Sequence, residues 1–411
     1  MNQSTLSIYC TRLVVFLLLL LSIYPAFMMN AAKQNILLLA VMSISPLMLI
    51  ITPKLLPQYD IPLFCMLILM IAFPFAFHFQ TMRWSTLIYT SMYVCFFLSY
   101  LRILYASDIN AEMFMKLIRW IIYAYAIVLI IQLGCFFTGL PIFNKINIDI
   151  NHGFPRLNTL GAEPSWSARM IVLMLYVHIC LSDYAKGYKQ SLNELYHENK
   201  LLIFAFLFTL IMCGSTTGLF FGAIFLLRFI DLKSIFYIVV GLTLITIVAE
   251  HFELSSFTRI EKFVPALLTL DEQAIIRTDG SGASRIIPTI QAFKFITLNQ
   301  FESWVGYGVD YDQSVVHFPG IKANGGLFSL WINHGVIVQL LYWYIIFSIC
   351  TIKKEWMSIA LAIMFIAGGV LINVQMLWFL LMMFATYKYI TSKESVSYTH
   401  LRAHETDQYL V

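Results

Sequence analysis

The sequence predicts an all-α, polytopic integral membrane protein with about twelve transmembrane helices and a large late extracytoplasmic loop; three observations carry that expectation. Hydrophobic residues make up 60% of the 411 residues, charged residues only 12%, and the mean hydropathy is +0.79, which excludes a soluble globular main body. Apolar runs of roughly 17–25 residues, the length that crosses about 30 Å of hydrocarbon, recur along the chain. Basic residues alternate between short loops, as they do when one set is held in the cytoplasm.

In order, the expected spans are 13–30, 35–52, 61–78, 85–102, 120–139, 166–182, 201–213, 219–231, 234–250, 326–350, 356–372 and 375–389. The first follows Arg12, is too long for a signal-peptide core and is expected to be retained. The pair 201–213 and 219–231 is short and separated by Gly214-Ser215-Thr216-Thr217-Gly218. It reads either as two tilted crossings or as one broken re-entrant pair, because irregular backbone at that depth needs protein or a water-filled cavity around it.

With the N-terminus inside, the cytoplasmic set includes Arg12, Lys54, Arg102, Arg119, Lys186, Lys200, Arg228, Lys353, Lys354, Lys388 and Lys393, whereas the shortest outer loops keep only Lys33 and Arg83. Both termini are therefore expected to be cytoplasmic, with segments near 140–165 and 251–325 outside. Trp84, Trp120, Trp166 and Trp356 fall near expected span ends, as in an interfacial aromatic belt. Residues 1–393 read as a single transmembrane domain. After Lys393 the composition turns polar, and 394–411, with its THLRAHET core, reads as a non-native or disordered tail.

The net charge of +4 is small, its sidedness matters more than its size, and no nucleic-acid partner is expected. The seven cysteines lie in or beside apolar runs without C-x-x-C spacing, the pattern of small core residues. HExxH, P-loop and GxSxG motifs are absent, which removes support for a metalloprotease, an ATP-driven pump or an α/β hydrolase. No metal and no cofactor are expected.

An ionisable group at membrane depth costs about 3 kcal/mol or more and is by default a functional-site hypothesis. The stretch RLNTLGAEPSWSAR, Arg156 to Arg169, sets two arginines and Glu163 at the mouth of the sixth span. If the helix begins at Pro164 or Ser165, Glu163 occupies its N-cap region and Arg169 lies one to one and a half turns inside. Helix N-termini favour anions, and forked guanidinium donors match phosphate oxygens, so the stretch suits a diphosphate. The plainer reading makes Glu163 a helix cap and Arg169 its partner, or a side chain snorkelling to the headgroups.

In the late loop, Gly280-Ser281-Gly282-Ala283-Ser284 approaches Arg285, followed by an amphipathic run to Leu298 that would suit a membrane surface. Arg277 and Arg285 are candidate ligands for an anionic headgroup, against the alternative of surface salt bridges. Asp310-Tyr311-Asp312 has the two-carboxylate spacing of many divalent-metal sites, but carboxylates equally suit water. His317, Asn324 and His334 are secondary candidates; a histidine in an apolar span is more often a hydrogen-bonded packing residue than a proton carrier.

Taken in order, these motifs resemble the bacterial O-antigen polymerase and O-antigen ligase superfamily over about residues 1–390. Arg156 followed by Gly161-Ala162-Glu163-Pro164-Ser165 is similar to the R-x-x-G-x-x-x-EPS segment of repeat-unit polymerases. Gly214-Ser215-Thr216-Thr217-Gly218 resembles the S-x-T-G turn. Ser284-Arg285, Gly306-Tyr307-Gly308, and Asn324 ahead of Gly335 resemble the large-loop signature. The ligases typically carry a histidine directly before that asparagine, where this chain has Ala323, so the resemblance favours a polymerase.

The resemblance implies a glycosyltransferase of the bacterial inner membrane that moves glycan from an undecaprenyl-diphosphate-linked donor to a lipid-linked acceptor in O-antigen, capsule or exopolysaccharide assembly. Arg156, Arg169, Arg277 and Arg285 would hold the diphosphate, and Glu163 would activate or orient the acceptor. The implied partners are the polyprenyl-diphosphate-linked oligosaccharide, membrane lipid, a chain-length regulator and a flippase. The alternatives are a ligase acting on lipid A core and a glycolipid flippase or transporter.

Overall fold

The computed structural model describes residues 3–23, 35–52, 55–144, 155–229, 240, 243, 265–278, 280–315, 326–368 and 372–408, and every regular element among them is helical. Four helices are long and apolar enough to cross a membrane: α3 (Pro57–Phe77), α4 (Trp84–Ser107), α5 (Ala111–Thr138) and α6 (Pro164–Lys186). A fifth candidate is the bent pair α7 (Leu192–Glu198) and α8 (Lys200–Met212), which meet at 104°. Shorter apolar helices are α1 (Gln3–Ser22), α2 (Ile36–Ile51) and α9 (Thr216–Leu226). The expected twelve crossings are thus matched by fewer full-length helices among the described residues, and most of the expected span 234–250 lies outside them.

Among its described residues the late loop carries the helices α10 (Glu272–Thr278), α11 (Gly280–Phe295), α12 (Glu302–Val305) and α13 (Asp312–Val315), with turns between α11, α12 and α13. The expected span 326–350 is broken at Gly335 into α14 (Ser329–His334) and α15 (Val336–Cys350). Gly335 has φ +89, and a Cβ there would collide with the backbone of Trp304. Only glycine allows so close an approach. Helices α16 (Trp356–Ala367) and α17 (Gln375–Gln408) close the chain, and α17 runs through much of the polar tail.

Helix α6 is the centre of the bundle. Its apolar window is 89% buried inside the protein, against 33% for α3 and for α5, which leave most of their apolar surface exposed. It packs against α5, α8, α9 and α17, while α4 packs against α1, α2, α3 and α17 on the other flank. The α6 sequence, which buries Ser165, Ser167, Arg169 and His178, is less apolar than those of α3 and α5, as suits a helix surrounded by protein.

Polar contacts collect at two ends of this bundle. At one end Arg12 bonds to the Ser107 carbonyl at 2.9 Å, Lys393 pairs with Asp108, and the Tyr184 hydroxyl donates to Thr391 at 3.0 Å. There too the Arg228 guanidinium pairs with Asp183 and, at 3.3 Å, with Glu355, which also binds Lys189 at 3.3 Å. At the other end Arg83 meets Asp310 at 2.9 Å, and His78 Nε2 lies 2.8 Å from the Gly306 carbonyl oxygen.

The short helices α8 and α9 form a hairpin along α6. Its turn, at Cys213 to Gly218, lies against Ala168 near the start of α6, and Arg228 just beyond α9 reaches Asp183 near its end. The path from residue 168 to 183 is about 22 Å of helix, so the hairpin spans most of the bundle.

Candidate functional site

Pro164 sits at the first position of α6, where its missing N–H costs nothing and its fixed φ favours the helix. Glu163 precedes it as N-cap, with extended backbone (φ −143, ψ 152). Its side chain makes no capping hydrogen bond; instead its Oε2 accepts from the Ser165 hydroxyl at 3.3 Å. The plain capping role for Glu163 is therefore not the one adopted.

One and a half turns into α6, Arg169 is 2% exposed. Its Nε donates to the Ser165 carbonyl at 3.2 Å and its Nη1 to the Gly368 carbonyl, just after α16, at 3.2 Å. It does not snorkel to the surface. A guanidinium held this deep is anchored by backbone acceptors, which take two of its donors without neutralising its charge.

Arg285 arrives from the late loop, on α11. Its Nη2 donates to the Ser165 hydroxyl and its Nη1 to the Thr217 hydroxyl, both at 3.3 Å. Arg169 consequently lies within electrostatic range of both Arg285 and Glu163. Among the described residues, two guanidinium groups and one carboxylate thus surround a single serine. Burial strengthens their interaction, because less water screens it.

The Ser215–Gly218 turn completes the floor. The Ser215 hydroxyl caps α9 by accepting from Gly218 N at 3.2 Å. A Cβ at Gly218 would collide with that of Ala168, so only glycine lets α9 lie this close to α6, with Thr217 facing Arg285. Arg156 lies within electrostatic range of Cys213 at the head of the same turn, which brings it to the same end of the bundle.

The backbone leading to Glu163 is sewn down by buried amides and hydroxyls. Gln132 of α5 accepts from Thr159 N at 2.9 Å, Asn158 Nδ2 donates to the Gly161 carbonyl at 2.6 Å, and the Ser167 hydroxyl donates to the Asn158 carbonyl at 2.6 Å. Buried backbone in a loop needs such partners, and supplying them holds Glu163 and Ser165 in place.

Other candidates stand apart. Arg277 is exposed on α10 and makes no hydrogen bond or ion pair among the described residues, while its neighbour Ile275 packs on Ala283 and Ile287. His334 is 2% exposed and faces the backbone of Met70, the packing role open to a histidine in an apolar span. His317 and Asn324 lie outside the described residues. The carboxylates of Asp310 and Asp312 do not converge: Asp310 accepts from Arg83 and from Thr86, each at 2.9 Å, whereas Asp312 accepts from Asn333 Nδ2 at 3.1 Å. Among the described residues no cluster of His, Cys, Asp and Glu is arranged to hold a metal. Burial pushes the Asp312 carboxyl above its usual range, against the opposing hydrogen bonds from Ser329 and Asn333.

Sequence reasoning missed Thr217 as a contact of Arg285, Gly368 as an acceptor for Arg169, and Ser165 as the shared partner. The only signal for them was proximity to the motifs, since small polar residues at helix ends are common for other reasons.

Comparison of the chain with family models, curated proteins and solved structures returns no match.

Proposed function

We propose that this chain is a repeat-unit polymerase of the bacterial inner membrane, with about twelve spans, both termini cytoplasmic and a large outer loop. In the proposed reaction an acceptor sugar hydroxyl attacks the anomeric carbon of a glycan linked to polyprenyl diphosphate. The bond from that carbon to the phosphate oxygen breaks, and the diphosphate leaves with its electron pair. Glu163 takes the hydroxyl proton, and Arg169 and Arg285 stabilise the departing charge, with Arg156 at the margin.

The single observation that carries this reading is the meeting of Arg285 with Arg169 and Glu163 at Ser165, contacts that bridge 120 residues of sequence. Guanidinium donors from two distant segments, converging at the end of an apolar bundle, fit an anionic headgroup delivered on a lipid. A transport pathway would instead distribute charge through the middle of many spans.

The test is reconstitution of purified protein in vesicles with undecaprenyl-diphosphate-linked repeats. A ladder of lengthened glycans from those repeats alone is the expected result. Product formed only with a lipid A core acceptor would mean a ligase, and transbilayer movement without change of glycan length would mean a transporter.

A further inference from the structure

We infer that the segment from Phe293 to Trp304 is a membrane-seated foot, which buries its aromatic side chains in the headgroup and upper acyl region of the bilayer. The sequence suggests that the amphipathic run 286–298 lies along the membrane. In the structure the first part of α11 does otherwise: Ala283, Ile287 and Ala292 are buried, and Arg285 reaches into the bundle. The exposed apolar side chains come after it.

Phe293 is 72% exposed, Leu298 55%, Phe301 57% and Trp304 47%. Phe301 continues the outward face of α3, because its ring stands edge-on to Phe77 at 5.1 Å and Phe77 is the last residue of that helix, while Phe293 lies against Phe328 at 6.0 Å. Phe77 and Phe79 are themselves 50% and 60% exposed. A patch continuous with the end of a largely unburied span shares that span's surroundings, which are lipid.

Polar groups agree with this level. The Trp304 indole N–H donates to the Leu298 carbonyl at 3.1 Å, so the ring needs no water to satisfy it. Lys294 is paired with Glu272 at 2.6 Å, and Glu302 is exposed beside Phe301, as suits the headgroup layer. The four side chains expose on the order of 500 Å² together. A stable protein partner needs about 800 Å² per side, which favours lipid over a second copy.

The consequence is positional. Phe293 lies eight residues beyond Arg285 on α11, about 12 Å along the axis, so the foot sets the depth at which that helix presents Arg285. The inference stands independently of the proposed enzymatic activity.

Protein reconstituted in phosphatidylglycerol and phosphatidylcholine vesicles tests it, with the emission of Trp304 taken as the difference between wild type and Trp304→Phe. Phospholipid brominated high on its acyl chains is expected to remove about half or more of that difference emission, while aqueous acrylamide leaves it nearly unchanged. A Phe301→Trp reporter in the Trp304→Phe background is expected to behave likewise. Quenching by acrylamide and not by brominated lipid would overturn the inference by showing water at the segment. Protection from both would overturn it by showing a covering protein surface.

Discussion

Arg169 and Arg285 share one residue: the first donates to the Ser165 carbonyl at 3.2 Å and the second to its hydroxyl at 3.3 Å. The two bonds are separable by mutation. Ser165→Ala removes the hydroxyl that joins Arg285 to Glu163 and leaves the carbonyl that holds Arg169. Loss of one such contact is worth about 1 kcal/mol, which corresponds to roughly a fivefold drop in turnover. Glycan synthesis measured in vesicles should fall by that order while the unfolding temperature stays within a degree or two of wild type.

Arg169 combines structural and charge roles, and two substitutions separate them. Arg169→Ala leaves the Gly368 carbonyl without its donor and opens a cavity in the most buried helix, at an expected cost of about 2–4 kcal/mol in stability. Thermal unfolding in detergent should show it. Arg169→Lys keeps one charge but cannot form both bonds through a fork, so it should recover part of the stability and little of the activity.

Gly218 sets the distance between α9 and α6. Gly218→Val would force its side chain against Ala168 and lift Thr217 away from Arg285. Overpacking of this kind costs about 1–3 kcal/mol. The expected outcome is a lowered unfolding temperature together with reduced glycan synthesis, and Ala168→Gly in the same chain should restore part of both.

Asp312 makes a pH prediction. Burial holds its carboxyl above the ordinary range, so the folded protein binds this proton more tightly than the unfolded chain does. The stabilising contribution is complete below the unfolded value of about 4 and is lost as pH rises through the folded value. Unfolding temperature measured from about pH 4 to pH 7 should therefore carry a downward component in wild type that is missing in Asp312→Asn.

The long apolar helices α3 to α6 were legible in the chain because apolar run length is a local signal. Pro164 marks the start of α6 as expected, and Arg169 is noticeable because nothing in an apolar stretch excuses a guanidinium. Arg285 and Arg277 look alike in sequence. Only tertiary packing separates them, through burial of Ile275, Ala283 and Ile287 between their helices, which leaves Arg277 outward and carries Arg285 to Ser165. The spacing of Asp310 and Asp312 left metal and water equally open, and their partners Arg83 and Asn333 come from elsewhere in the chain, at distances no local pattern encodes. The shared role of Ser165 was equally hidden, since it depends on a residue 120 positions away.

In the proposed reaction the charge of Arg285, placed beside Arg169, is what the departing diphosphate needs. The most direct measurement is the glycan ladder made by cells carrying Arg285→Ala, Arg285→Lys or Glu163→Gln, with membrane abundance of each variant determined in parallel. Full abundance and a ladder collapsed to single repeats are expected for Arg285→Ala and Glu163→Gln, with partial extension for Arg285→Lys. Wild-type ladders from all three variants at wild-type abundance would contradict the proposed reaction.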